Sequence, residues 1–232
     1  MSCISCWRIS PFKGATSTAE SQSDWLPEQL RQGILGDGWR PAALSLVLVV
    51  AILGTNLIYA TINHGPNRIF LGTGVDALIP LVPLFAVPYV SLTPLIGASL
   101  LAMMLFRVRV YRSAALSMIT AWFVSYAFYF FLQSYVARPA VTGNDFFSAM
   151  VRSIYASDAP YNDFPSLHTS LSMIIAIHWW HIDRRIGIPV AGWTGLIVAS
   201  TMLVHQHYIA DVALGLIVAA LSLWLFLRLT RA

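Results

Sequence analysis

From Ile188 to Leu227 the chain reads IPVAGWTGLIVASTMLVHQHYIADVALGLIVAALSLWLFL. That is an apolar run about twice the ~20 residues that one membrane helix needs. It must therefore hold two spans joined by a tight reversal. The only strongly polar interruption is His205-Gln206-His207-Tyr208, with Asp211 just beyond. The reversal belongs there, which sets two histidines at or near the tip of a helical hairpin.

The composition agrees. Of 232 residues, 57% are hydrophobic and only 10% charged, against about 25% charged in soluble domains. The mean hydropathy is +0.69. The net charge of +4 does not argue for nucleic acid, because the basic residues flank apolar runs and so report topology. Cys3 and Cys6 are the only cysteines, so no disulfide framework is expected. Two unpaired cytosolic thiols is the preferred reading over a metal or redox pair, with S-acylation a third. Residues 1–40 are polar and carry no apolar core of secretory type. They read as a partly disordered cytoplasmic tail. Within it, Trp25 to Arg31 has the pattern of a short interfacial helix, with a disordered tail as the equal alternative.

Working back from the hairpin, a fourth span opens near Ser166 and ends at Trp179-Trp180-His181, an aromatic belt. A third runs from about Ala114 to Tyr135, followed by a polar loop from Arg138 to Asp163. Asn63 to Asn67 is a turn cluster. After it, Pro80, Pro83 and Pro88 break any straight helix from Asp76. A short interfacial or re-entrant piece is expected there, with Asp76 as a helix N-cap, then a span from about Tyr89 to Phe106. The first span covers about Pro41 to Ala60. Residues 41–232 thus read as an all-α, integral membrane six-helix bundle. With the N-terminus inside, eleven Lys and Arg fall on the cytoplasmic side: Arg8, Lys13, Arg31, Arg40, Arg107, Arg109, Arg112, Arg184, Arg185, Arg228 and Arg231. Only Arg68, Arg138 and Arg152 fall outside. This bias places both termini in the cytoplasm.

The topology brings three polar sites to the outer face: Arg138, His168 and the pair His207 with Asp211. Ionisable groups at such depth are costly and point to function. His207 and Asp211 are i and i+4 and would share a helix face. A carboxylate there fixes the imidazole tautomer and leaves the other ring nitrogen as nucleophile. His168 suits a general acid for a leaving alkoxide, then a base for water or an acceptor hydroxyl. Ser166 and the N–H groups of Ser166, Leu167 and His168 open a helix after Pro165, a place that favours phosphate. Arg138 can bind the same phosphate through its fork of donors.

These residues resemble the type 2 phosphatidic acid phosphatase superfamily of membrane lipid phosphatases and phosphotransferases. Arg138-Pro139 is similar to the end of its Lys/Arg-Pro motif. Pro165-Ser166-Leu167-His168 is similar to its Pro-Ser-x-His motif. Ser200, His207 and Asp211 match the spacing of Ser-Arg-x5-His-x3-Asp. The likeness covers roughly Asp76 to Leu227. It implies that His207 forms a phosphohistidine, that Asp211 orients it, and that His168 handles the leaving-group proton, with neither cofactor nor metal. Two positions depart from the pattern: Phe131 stands where a Lys is expected and Thr201 where an Arg is expected. With Phe-Pro-Ser-Leu-His and Gln-His-Tyr, this is similar to the inositol phosphorylceramide synthase branch, which moves a phospho-headgroup to a lipid alcohol. A site with fewer cations suits a phosphodiester donor, unless Arg152 supplies the missing charge.

The expected function is therefore metal-independent phosphoryl transfer on a membrane lipid at the extracytoplasmic or lumenal face, in a bacterial inner membrane or a Golgi-type membrane. Water or a lipid alcohol is the acceptor, and oligomeric state is left open. One alternative is a monoesterase acting on phosphatidate or polyprenyl phosphate. Non-enzymatic alternatives are a transporter or flippase, which would need charges deep within spans and internal repeats, and an inactive interaction protein. His205-x-His207 as a metal pair lacks a third ligand nearby. His178 and His181 read as interfacial, and Gly215 as a close-packing position.

Overall fold

A computed structural model describes residues 28–63, 65 and 69–230. Cys3, Cys6, Trp25 and most of the 1–40 tail lie outside them, as do His64, Asn67, Arg68 and Arg231. The chain is helical almost throughout. Its elements are α1 (Glu28–Arg31), α2 (Trp39–Ile62), α3 (Ala86–Phe106), α4 (Val108–Leu132), α5 (Phe146–Ser157), α6 (Leu167–Ile182), α7 (Arg184–Leu203) and α8 (Ile209–Phe226). A two-residue parallel pair, β1 (Ile69–Phe70) with β2 (Ser134–Tyr135), ties the segment after α2 to the segment after α4.

Among the described residues, five helices are long and apolar enough to cross a membrane, those at 39–59, 83–106, 108–132, 184–203 and 209–230. This is a multi-pass membrane protein. The expected fourth span, α6, has 16 residues, roughly 24 Å at ~1.5 Å per residue against a hydrocarbon core of ~30 Å. So five helices of spanning length and one shorter helix replace the expected six full spans. The shorter helix is fixed at both ends. Ser166 caps its start, and Asp183 both ends it and caps α7 by accepting from the Arg185 N–H. Residues on several sides of α6 are buried, among them Leu171, Ile174, Ile175 and His178.

α4 is the axis of the bundle, packing against α2, α3, α6 and α8. Ala114, Ala115 and Ala121 are fully buried there, and such small residues let backbones approach where lipid offers no hydrophobic drive. Outward-facing apolar residues, such as Val50, Leu57 and Trp224, belong against lipid. The reversal between α6 and α7 is a single residue. At Gly187 an added Cβ would stand 2.5 Å from the Trp180 Cα, so only glycine fits that approach. α7 and α8 are joined by the expected tight reversal, but they do not pack together as a hairpin: α7 packs on α6 and α3, and α8 on α4 and α6. At the tip of the reversal the Thr201 carbonyl accepts the N–H groups of Gln206 (2.8 Å) and His207 (3.1 Å), and His205 turns the chain with φ of 50°.

Four expectations change. The loop from Arg138 to Asp163 contains α5, capped by Asp145 through the Phe147 and Ser148 N–H groups. Val151 and Ile154 of α5 are buried beside Ala86, Tyr89 and Val204. The third span begins at Val108 rather than Ala114, because Arg112 stays at the polar end by pairing with Asp37 and bonding Ser45 Oγ at 2.9 Å. Asp76 begins a single 3-10 turn, Asp76–Leu78, and its carboxylate caps α8 instead, accepting from Ile209 N–H at 2.8 Å. His178 is fully buried, its ring within 2.9 Å of Ser113 Oγ and 2.7 Å of the Ile174 carbonyl. His181 is exposed, as expected at the helix end.

Candidate active site

The N-termini of α6 and α8 and the loops around α5 meet at one end of the bundle. Asp211 lies in the first turn of α8 and is fully buried. Its Oδ2 accepts the Tyr208 N–H at 2.7 Å and stands 3.5 Å from His207 Nδ1. Sharing a helix face is not how the pair meets: His207 precedes the helix, and the carboxylate folds back over the helix start to reach it. The separation is long for a hydrogen bond, a common state of catalytic pairs before substrate binds. Main chain fixes the carboxylate, and Nε2 is the ring nitrogen left free of it.

His168 is the second residue of α6. Its ring stacks on Tyr89 of α3 with centroids 4.3 Å apart and planes 20° apart. Its centroid is 6.0 Å from that of His207. The two histidines come from segments far apart in the chain yet border one cavity.

At the start of α6, the Ser166 hydroxyl accepts from Thr169 N–H at 3.3 Å and from Thr169 Oγ1 at 3.1 Å. Its N–H donates to the Asp211 carbonyl at 3.0 Å. Of the three N–H groups expected to be open to phosphate, that of Ser166 is thus committed. Those of Leu167 and His168 have no partner among the described residues.

Arg138 sits apart from the histidine cavity. Its Nη1 donates to the Asp158 carbonyl at 2.7 Å and the Tyr155 carbonyl at 3.3 Å. Its Nη2 donates to Gln206 Oε1 at 2.6 Å. The guanidinium lies 4.8 Å from the Tyr155 ring centroid, and its buried Nε has no partner. Arg138 lines a second cavity of about 360 Å³ with Asp76, His205 and Tyr208. Its partner Gln206 is the residue before His207. His205 and His207 line different cavities.

The histidine cavity measures about 210 Å³. Ile52, Leu92, Ile96 and Trp122 line its apolar part. Tyr59, Tyr129, Asp158, Asn162, Asp163, His168 and His207 line its polar part. Asp158 Oδ1 accepts from Tyr59 Oη at 2.9 Å and Asn63 Nδ2 at 2.6 Å. Asp163 is 6% exposed and its Oδ2 has no partner. Burial, reinforced by Asp211, pushes its carboxyl well above the usual range. Neither departure from the family motif faces this cavity. Phe131 is 71% exposed at the end of α4, and Thr201 is buried with its hydroxyl on the Val198 carbonyl at 2.7 Å. Tyr89, Gln206 and Asp163 carry no site role in the sequence reading. Asn162 shapes this loop in the left-handed conformation, φ 59°, which Asn tolerates.

A family model described as the PAP2 superfamily matches residues 111–232, more than half of the chain. The matched stretch contains Arg138, Ser166, Leu167, His168, His207 and Asp211. No curated protein and no solved structure matches.

Proposed function

The chain belongs to the PAP2 superfamily of membrane phosphatases and phosphotransferases, and from that footing we propose that it transfers a phosphoryl-bearing group from a membrane lipid through a phosphohistidine at His207. The observation that carries this reading is the pairing of His168 and His207 across one buried cavity, 6.0 Å between centroids, with Asp211 behind His207. Nε2 of His207 attacks phosphorus as the bond to the leaving alkoxide breaks, and His168 gives that oxygen a proton. Asp211 holds the proton on Nδ1 and offsets the charge that develops on the ring. In the second step an acceptor hydroxyl attacks, His168 takes its proton, and the P–N bond breaks. The N–H groups of Leu167 and His168, at the positive end of α6, meet the phosphate oxygens. Arg138 lends positive charge from the neighbouring cavity.

The reaction is metal-independent in this scheme. It runs at the extracytoplasmic or lumenal face, with both termini cytoplasmic and α6 completing a six-span bundle. The acceptor is a lipid alcohol or water. The test is to incubate purified protein with phospholipids labelled with ³²P in the headgroup phosphate, with and without a chelator. Acid-labile label trapped during turnover should appear on the wild type, form more slowly on His168→Ala, which lacks the proton donor of the first step, and be absent from His207→Ala. Label retained by His207→Ala, or activity abolished by chelation, overturns the scheme.

A further inference from the structure

We propose that the polar end of the histidine cavity binds the primary ammonium of a phospholipid headgroup, with Asn162 and Asp163 as its acceptors. The argument begins with unpartnered atoms. Asn162 Oδ1 and Asp163 Oδ2 are both buried without a hydrogen-bond partner, and both residues line the cavity. Asn162 is 2% exposed and Asp163 is 6% exposed. The orientation of Asn162 is set by its Nδ2, which donates to the Ile62 carbonyl at 2.5 Å. The atom left without a partner is therefore the oxygen. Buried acceptors without donors are costly, so the group that completes this site must bring N–H or O–H.

Charge narrows the choice. Asp158 and Asp163 line the cavity, and no Lys or Arg does among the described residues. Asp211 adds a third carboxyl directly behind His207. Burial and Asp211 hold the Asp163 carboxyl well above its usual range; a bound cation favours its ionised form, whereas a dianionic monoester opposes it. Three tyrosines that also line the cavity form a cluster: Tyr59–Tyr126, Tyr59–Tyr129 and Tyr126–Tyr129 centroids lie 6.5, 6.3 and 6.0 Å apart. Carboxylates among aromatic rings are the chemistry that holds an organic ammonium. A primary ammonium has three donors, enough for both Asn162 and Asp163, whereas a neutral hydroxyl has one. The phosphodiester of the same lipid then lies beside His207 and the start of α6. This inference takes the ligand to be a phospholipid because of the function proposed above. The binding test below does not depend on turnover.

Native mass spectrometry of the full chain in detergent micelles, on wild type and His207→Ala, measures it. Phosphatidylethanolamine, phosphatidylcholine, phosphatidylinositol and phosphatidylglycerol of identical acyl chains compete for the protein. Phosphatidylethanolamine should win over phosphatidylglycerol and phosphatidylinositol by about tenfold in both proteins, since a buried cation–carboxylate contact is a strong one. Phosphatidylcholine, whose three methyl groups remove every donor, should bind several-fold more weakly than phosphatidylethanolamine. That comparison needs no variant. In Asp163→Asn the preference should fall to about twofold. Equal binding, a preference for the inositol or glycerol lipid, or an unchanged preference in Asp163→Asn overturns the proposal. An intact ethanolamine preference without phosphohistidine would overturn the catalytic scheme and leave this site standing.

Discussion

Ser166 donates its backbone N–H to the backbone carbonyl of Asp211 at 3.0 Å, so main chain itself ties together the two segments that carry His168 and His207. The helices stay that close because of Gly215, one turn further along α8. Its carbonyl accepts from Ser170 Oγ at 2.8 Å. A Cβ there would stand 2.6 Å from the Ser166 carbonyl oxygen and 3.0 Å from Thr169 Cβ. Gly215→Ala must push α8 away from α6, at an overpacking cost of about 1–3 kcal/mol. The melting temperature should drop by several degrees (roughly 2–4 °C per kcal/mol in a chain of this size). Turnover should fall more than tenfold, because the gap between the histidines opens. Unchanged melting and turnover would show that the crossing tolerates a methyl group.

Asp76 couples the segment before α3 to the start of α8. Its carboxylate accepts from the N–H of Ile209 at 2.8 Å, and from Thr73 N–H at 2.8 Å and Oγ1 at 2.5 Å. Burial opposes its ionisation, but the bonds from Thr73 and Ile209 outweigh that and hold it below the ordinary carboxyl value. A depressed folded pKa gives stability that is present above the unfolded value of about 3.9 and lost as pH falls through the folded pKa. Asp76→Asn should melt lower than wild type at neutral pH, by the order of a lost cap at about 1 kcal/mol. The two melting curves should converge as pH drops below the folded pKa of Asp76. A constant gap across the whole acid range would assign the effect to packing rather than charge.

The reversal between Ile188 and Leu227 was legible because length alone demanded it and only one polar interruption offered a place for it, but the divergence of α7 and α8 onto different neighbours was not. The tip, Val204 to Tyr208, falls at that interruption. The start of α6 was legible for a similar reason: Pro165 and Ser166 mark a helix opening. What escaped was long-range. Nothing near Asp76 announces that its partner is Ile209, 133 residues away, and nothing near Tyr89 announces His168. α5 escaped because its polar ends merged with the loop, although Asp145 and the spacing of Val151 and Ile154 carry a helix signal. Arg138 was found, but its commitment to Gln206 and two carbonyls was not. A guanidinium's partners depend on the fold rather than on neighbouring letters.

Tyr89 positions His168 rather than touching the reacting atoms. With rings stacked at 4.3 Å, the tyrosine limits rotation of the imidazole. Aromatic pairs of this kind contribute about 0.5–1.5 kcal/mol beyond burial, so Tyr89→Leu should lower kcat by up to about tenfold. KM should change little, since the proposed scheme binds the substrate's phosphate at the start of α6. Tyr89→Phe keeps the ring and should restore most of the rate. A rise in KM with unchanged kcat would instead place Tyr89 in substrate binding.

Arg138 and Phe131 make opposite predictions about where positive charge is needed. Arg138 holds the Asp158 and Tyr155 carbonyls and Gln206 Oε1 with one planar fork, and Lys cannot reproduce that geometry. Arg138→Lys should lose about 1.5–3 kcal/mol per charged hydrogen bond broken, lowering the melting temperature and turnover together. Gln206→Leu should reproduce part of both effects. In a double-mutant cycle the two changes should be less than additive, because they share the bond. Phe131→Lys places a cation where the family motif carries one, but the side chain at that position is 71% exposed and does not line the histidine cavity. A lysine there can snorkel to the membrane surface. Stability should stay within about 0.5 kcal/mol of wild type, and phosphate release from phosphatidic acid should not rise. A Phe131→Lys protein that gained monoesterase activity would mean that the end of α4 turns inward when substrate binds, bringing a motif position into a site from which it is now directed away.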